Sequence, residues 1–151
     1  MAFTCEQTVR LYDTDAAGFL FYGSQFRIAH AALEEFLAHL GQPIGAVLRE
    51  RHTLYPVVHA EADYRAPLTA GDRLTVHVCV RAIGERSFTI GYRFLLPDGR
   101  DAGSVLTVHA ALDTATGAAR ALPEALREAL APYLAVGTAG RGPDLLLHQG
   151  R

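Results

Sequence analysis

A change of hydrophobic period partway along the chain restricts its architecture more than any other feature. Between about Tyr22 and Leu40, the apolar residues Phe26, Ala29, Leu33, Phe36, Leu37 and Leu40 recur at helical spacing. Gly41 suits the position just past the helix end, and Pro43 blocks resumption. Beyond it the period falls to two. Tyr55 to Arg65, Asp72 to Ala82, Ser87 to Leu96 and Ala102 to Leu112 each read as a strand. Leu74, Val76, Val78 and Val80 form one face of the second of these, with Thr75, His77 and Cys79 on the other. Ahead of the helix, Phe3, Cys5, Gln7, Val9 and Leu11 alternate as a fifth strand with one polar slip.

Turns and ends complete the pattern. Gly71-Asp72 and Pro97-Asp98-Gly99-Arg100 are turn signals, the second a hairpin loop. Leu122-Pro123-Glu124 opens a last helix reaching about Leu134, with Pro at a favoured first position. Residues 44–53 fit a short helix or a loop equally well. One long helix inserted after the first of five mostly antiparallel strands defines an α+β protein. A curved sheet wrapped around that helix would bury the apolar face of both, although periodicity alone leaves other α+β arrangements open. With 151 residues the expectation is one domain over 1–135. Gly137, Gly140, Gly142 and Pro143 mark 136–151 as a loosely held tail.

Composition excludes several classes of function. The net charge is −2 and Lys and Arg do not cluster, so there is no footprint for nucleic acid. No apolar run reaches membrane-spanning length, and no basic segment followed by an apolar one opens the chain. Cys5 and Cys79 both fall in strands, where free thiols fit a reducing compartment. The expected location is the cytoplasm, with no membrane partner.

The residues that carry chemistry lie between the first strand and the helix, in Asp13-Thr14-Asp15-Ala16-Ala17-Gly18-Phe19-Leu20-Phe21-Tyr22. A helix start presents unpaired backbone N–H groups and the positive end of the macrodipole. Asp15 offers a carboxylate beside it, able to attack a carbonyl or to activate water against one. The Tyr22 N–H can polarise that carbonyl, and Gly18 permits the tight turn between them. The competing reading of Asp15 is a helix cap, and Asp13 is the better candidate for capping or bracing the loop. A magnesium site at Asp13 and Asp15 would need further acidic ligands, which do not follow. The Asp-x-Asp-x-Thr pattern of haloacid-type phosphatases fails at Ala17. Neither His-Glu-x-x-His nor Cys-x-x-Cys occurs, so no metal or cofactor is expected.

The run Arg10 to Tyr22 resembles the opening motif of the 4-hydroxybenzoyl-CoA thioesterase-like branch of hot-dog acyl-CoA thioesterases. The likeness continues through the helix, Pro56-Val57-Val58, Tyr64-Arg65-Ala66-Pro67 and Gly71-Asp72-Arg73-Leu74, covering roughly residues 5–125. It implies the hot-dog fold, with Asp15 as catalytic carboxylate, the Tyr22 amide polarising the thioester carbonyl, and Gly18 in the same turn. Whether the carboxylate acts as nucleophile or as base differs among members. The resemblance also implies acyl-CoA as substrate and a homodimer or homotetramer whose subunits share active sites.

Three histidines narrow the comparison. His30, His59 and His109 resemble positions in the 1,4-dihydroxy-2-naphthoyl-CoA thioesterases of menaquinone and phylloquinone biosynthesis. A neutral imidazole there can exchange a hydrogen bond with a ring hydroxyl, against the alternative of a structural histidine. Arg86 and Ser87, in Gly84-Glu85-Arg86-Ser87-Phe88, match the strand edge where members meet CoA phosphates. Glu85 departs from that pattern, standing where a second cation is common. Within the chemistry, 4-hydroxybenzoyl-CoA or short-chain acyl-CoA hydrolysis is the alternative. A dehydratase would need a Gly-His-Phe-Pro-like segment, which is absent. Outside enzymology the alternative is an acyl-binding module on the same fold, against which a retained carboxylate beside the thioester argues.

Overall fold

The computed structural model describes residues 1–135; the tail expected over 136–151 lies outside the described residues. In chain order the elements are β1 (Phe3–Thr8), α1 (Ser24–His39), α2 (Ile44–Glu50), β2 (Thr53–Leu54) and β3 (Val57–Tyr64). There follow β4 (Arg73–Ile83), β5 (Ser87–Leu95), β6 (Asp101–Ala110), β7 (Leu112–Asp113) and α3 (Glu124–Leu130). Five strands form one sheet in the order β1-β4-β5-β6-β3, every neighbouring pair antiparallel. The two-residue strands β2 and β7 pair separately.

Helix α1 is the centre of the core. It buries Ala29, Leu33, Phe36 and Leu37 of the expected stripe together with Ile28 and Ala32, while Phe26 and Leu40 at its ends are only partly buried. Against it stand Leu74, Val76, Val78 and Val80 of β4, with Phe88, Ile90, Tyr92 and Phe94 of β5, all buried. The helix ends as the sequence dictates. Gly41 adopts φ +79°, its N–H reaches the Ala38 carbonyl, and the Gln42 N–H reaches back to Leu37. That is the Schellman geometry, which needs a left-handed residue and favours glycine. The undecided segment resolves as α2, whose helical residues are all at least partly exposed. The final helix is shorter than its pattern suggests, giving way to a 3-10 turn at Ala131–Tyr133 where Pro132 cannot donate.

The opposite sheet face is polar. Arg65 and Arg93 both bind Asp101 there, at 3.3 and 3.2 Å. Strand β3 forms one edge of the sheet, and Val57 and Val58 on it are 48% and 62% exposed in the single chain.

The start of α1 is tied to the far edge of the sheet. Gln25, 1% exposed, donates through Nε2 to the carbonyls of Asp63 (2.9 Å) and Ser104 (3.2 Å). Gly103, at φ +149°, lies beneath this contact, and a Cβ there would collide with the Asp63 carbonyl oxygen. The β3–β6 ladder and the docking of Gln25 therefore both require glycine. Gly103→Ala is expected to lower unfolding free energy by ~2 kcal/mol or more, measured by urea denaturation; a change within ~0.5 kcal/mol would contradict this reading.

Candidate active site

The loop before α1 is organised by a buried carboxylate. Asp13 is 0% exposed, and its oxygens accept from Arg27 Nε (2.6 Å), Arg27 Nη2 (2.7 Å) and the Arg10 N–H (2.8 Å). A desolvated carboxylate is tolerable only with such charge-assisted partners. The paired carboxylate in turn holds the Arg27 guanidinium above its ordinary value. Arg27 also lies over the Tyr12 ring, 5.3 Å from its centroid. Asp13 is thus the brace of the loop.

Asp15 has a different environment. It is exposed, its Oδ1 accepts the Ala17 N–H at 2.9 Å, and its Oδ2 meets no partner among the described residues. The Gly18 N–H closes the turn on the Asp15 carbonyl at 2.9 Å, with Gly18 at φ +83°. The Asp15 N–H then pairs with the Phe19 carbonyl, carrying the chain back toward the helix.

Two planar peptides set the direction of the donors at the helix start. The Phe21 carbonyl accepts the Ser24 N–H at 2.9 Å, so the trans peptide aims the Tyr22 N–H the opposite way, off the helix end. The Tyr22 carbonyl accepts the Tyr64 hydroxyl at 2.6 Å, which fixes the next plane too. Burial raises the Tyr64 phenol above its usual range and keeps it a donor. No acceptor meets the Tyr22 N–H among the described residues.

Beside the first turns of α1 lies a cavity of about 320 Å³, lined by Phe26, Arg27, His30, Leu33, Tyr92 and His109 among others. A second cavity of about 210 Å³ shares His30, Leu33, Val57 and His109 with it and runs toward α2. Thr107, Val57 and Ala60 complete the first wall. Asp15 itself does not line either cavity in the single chain; Arg27 links its loop to the first, gripping Asp13 while lining that hollow.

The three histidines fare differently. His30 lines both cavities, largely exposed, with Glu34 at 3.7 Å one turn on. His109 is 2% exposed and stacks on Phe88 at 5.0 Å. Its Nδ1 meets the Tyr55 carbonyl at 3.1 Å and its Nε2 meets Thr107 Oγ1 at 2.8 Å. His59 does not join them. The strand register shifts between Val57 and His59, and this bulge turns His59 away from the cavity toward Glu61, 3.2 Å distant, while Ala60 takes the inward place. Arg86 sits in the β4–β5 turn and Ser87 opens β5, the turn being closed by the Gly84 N–H on the Ser87 carbonyl and backed by Arg127. Arg86 is exposed, forms no ion pair with Glu85, and lines neither cavity. Arg27, Tyr64, Tyr92 and Thr107 are further site residues that the sequence pattern does not single out. Among the described residues no cluster of three or more His, Cys, Asp or Glu is arranged to hold a metal ion, and no helix is long and apolar enough to cross a membrane.

Burial drives the His109 imidazole below its usual 6.5; the Tyr55 carbonyl opposes this and His30 adds to it. A folded pKa below the unfolded one means stability is full above about pH 6.5 and falls as pH drops below it, because the unfolded chain takes up a proton first. In urea denaturation, the stability advantage of wild type over His109→Gln is expected to narrow from pH 7 to pH 5. An advantage that stays constant or grows would contradict a neutral buried imidazole.

The sequence profile of the thioesterase-like superfamily matches residues 9–130. A 1,4-dihydroxy-2-naphthoyl-CoA hydrolase of Synechococcus elongatus is 33% identical over 124 residues, covering 82% of this chain and 90% of that one. Among solved structures, a 1,4-dihydroxy-2-naphthoyl-CoA thioesterase from Synechocystis superposes with a TM-score of 0.80 at 25% identity, over 87% of this chain and 96% of the other. The gentisyl-coenzyme A thioesterase BH1999 gives 0.75 at 26% identity, over 85% and 98%. The chain belongs to the thioesterase-like superfamily, as an acyl-CoA thioesterase of the hot-dog fold.

Proposed function

We propose that the protein hydrolyses an aromatic acyl-CoA, with 1,4-dihydroxy-2-naphthoyl-CoA as the favoured substrate, releasing the free acid and CoA. The observation that carries this reading is an outward-aimed Tyr22 N–H two residues ahead of α1, the helix whose first turns line a histidine-containing cavity of about 320 Å³. The thioester carbonyl oxygen accepts from the Tyr22 N–H, and the aromatic ring enters the cavity beside His30 and His109. The names of the Synechococcus and Synechocystis relatives support the naphthoyl group. A menaquinone or phylloquinone pathway follows from that substrate.

Asp15 supplies the carboxylate. It attacks the carbonyl carbon directly, or it takes a proton from water as the water attacks; each route consumes one water and breaks the C–S bond, and the sulfur leaves as the protonated thiol of CoA. One backbone donor on the developing oxyanion is worth about 3 kcal/mol. Gly18 serves by holding the turn that sets the carboxylate against the helix start.

Asp15 lines neither cavity of its own chain, which favours a site completed by a second copy. The exposed edge strand β3, carrying Val57 and Val58, offers the surface for that copy. This supports a homodimer, or a tetramer built from it, with shared sites. His59, turned outward on the same edge, meets substrate in this arrangement only from across the interface. Arg86 and Ser87 serve CoA phosphate at the β4–β5 turn. The working location is the cytoplasm.

A panel of acyl-CoA thioesters, read by free-thiol release, tests the assignment. Dihydroxynaphthoyl-CoA, made in situ, is expected to give the highest kcat/KM, ahead of 4-hydroxybenzoyl-CoA and short linear acyl-CoAs; a linear substrate at the top would overturn the aromatic reading. Asp15→Asn is expected to lower kcat about a hundredfold or more, equivalent to about 2.7 kcal/mol. A variant within about threefold of wild type would remove Asp15 from the chemistry.

A further inference from the structure

The polar groups in the cavity wall form one chain with a fixed direction. Tyr92 Oη lies 3.1 Å from Thr107 Oγ1, which lies 2.8 Å from His109 Nε2, while His109 Nδ1 faces the Tyr55 carbonyl at 3.1 Å. The Tyr55 carbonyl can only accept, so Nδ1 carries the imidazole proton. Nε2 of the neutral ring is then an acceptor, and the Thr107 hydroxyl must donate to it. With its single proton committed, Thr107 accepts from Tyr92. The Tyr92 proton is committed in turn. All three side chains line the cavity, and Tyr92 and His109 are each 2% exposed. Burial raises the Tyr92 phenol and lowers His109, so neither ionises to break the order.

The end of this chain has consequences for what can bind. Tyr92 Oη retains lone pairs but has no proton left to give. Resting on the proposed placement of the acyl ring, we infer that Tyr92 is a specificity-determining residue whose oxygen accepts a hydrogen bond from a hydroxyl on the substrate ring. Acyl groups bearing a phenolic O–H satisfy it. Rings carrying a methoxy oxygen bring an acceptor against an acceptor, and unsubstituted rings leave it unmet in a dry wall. The cavity therefore separates hydroxyaryl groups from their ethers and from plain aryl groups of the same outline. His109 acts through Thr107 as a positioning residue, holding the chain in its direction.

Binding of free acids tests this without relying on turnover. Titration calorimetry on the wild type and on Tyr92→Phe would use 4-hydroxy-2-naphthoate, 4-methoxy-2-naphthoate and 2-naphthoate, a 4-hydroxyl being free of the internal hydrogen bond that a 1-hydroxyl makes to the carboxylate. Wild type is expected to bind the hydroxy acid at least about tenfold more tightly than either other acid, and Tyr92→Phe to reduce that ratio to about threefold or less. Thr107→Ser, which keeps both hydroxyl contacts, is expected to retain the wild-type ratio; Thr107→Val, which frees the Tyr92 proton, is expected to improve binding of the methoxy acid relative to the hydroxy acid. An unchanged ratio in Tyr92→Phe, no preference in wild type, or no binding of any of the three acids would overturn the inference. The same proteins assayed on the matching CoA thioesters separate the two ideas. Turnover with no hydroxyl preference leaves thioester hydrolysis standing and removes only the role of Tyr92.

Discussion

A carboxylate removed from water must be given donors, and Asp13 is given three. The bidentate grip of Arg27 and the Arg10 N–H convert a loop of ten residues into a fixed appendage of α1. Everything proposed for the chemistry depends on that attachment, because Asp15 is two residues along the braced chain and Tyr22 seven beyond it. Removing one partner from such a pair leaves an uncompensated charge, which is costly. Arg27 is also a wall of the cavity, so one side chain joins the loop to the space proposed for the acyl group.

The helix serves both packing and chemistry. Its apolar stripe fills the sheet, and its end supplies donors without partners. The Phe21 and Tyr22 carbonyls are each occupied, by the Ser24 N–H and the Tyr64 hydroxyl, and planar peptides then leave the N–H groups pointing outward. Stability of the turn and orientation of the donor arise from the same hydrogen bonds. Little has to rearrange when negative charge develops at the site, the condition under which a fixed dipole is most effective.

Much of this was legible in the sequence because it is written locally. Period 3.6 in Phe26 to Leu40 and period two in Leu74 to Val80 each report one element meeting one core. The Gly41 stop and the Asp15 to Gly18 turn are equally local. What escaped depends on residues distant in the chain. Asp13 meets Arg27 across 14 positions, and Tyr92 of β5 reaches the Thr107–His109 pair of β6 only when the two strands pair diagonally. His59 escaped for another reason. Regular alternation from Val57 would carry it inward, but a one-residue bulge reverses the face of every later side chain in β3. Segment 44–53 fits helix or loop equally because α2 within it is short and fully buries none of its residues, so no stripe is imposed on it.

The central claim is that the helix start polarises the thioester while the adjoining cavity holds the ring. A crystal structure of Asp15→Asn with a non-hydrolysable ketone analogue of an aromatic acyl-CoA would test it most directly. The ketone oxygen is predicted to sit about 3 Å from the Tyr22 nitrogen, with the ring between His30 and His109 and residue 15 facing the carbonyl carbon. A carbonyl bound elsewhere, with the ring outside that cavity, would contradict it.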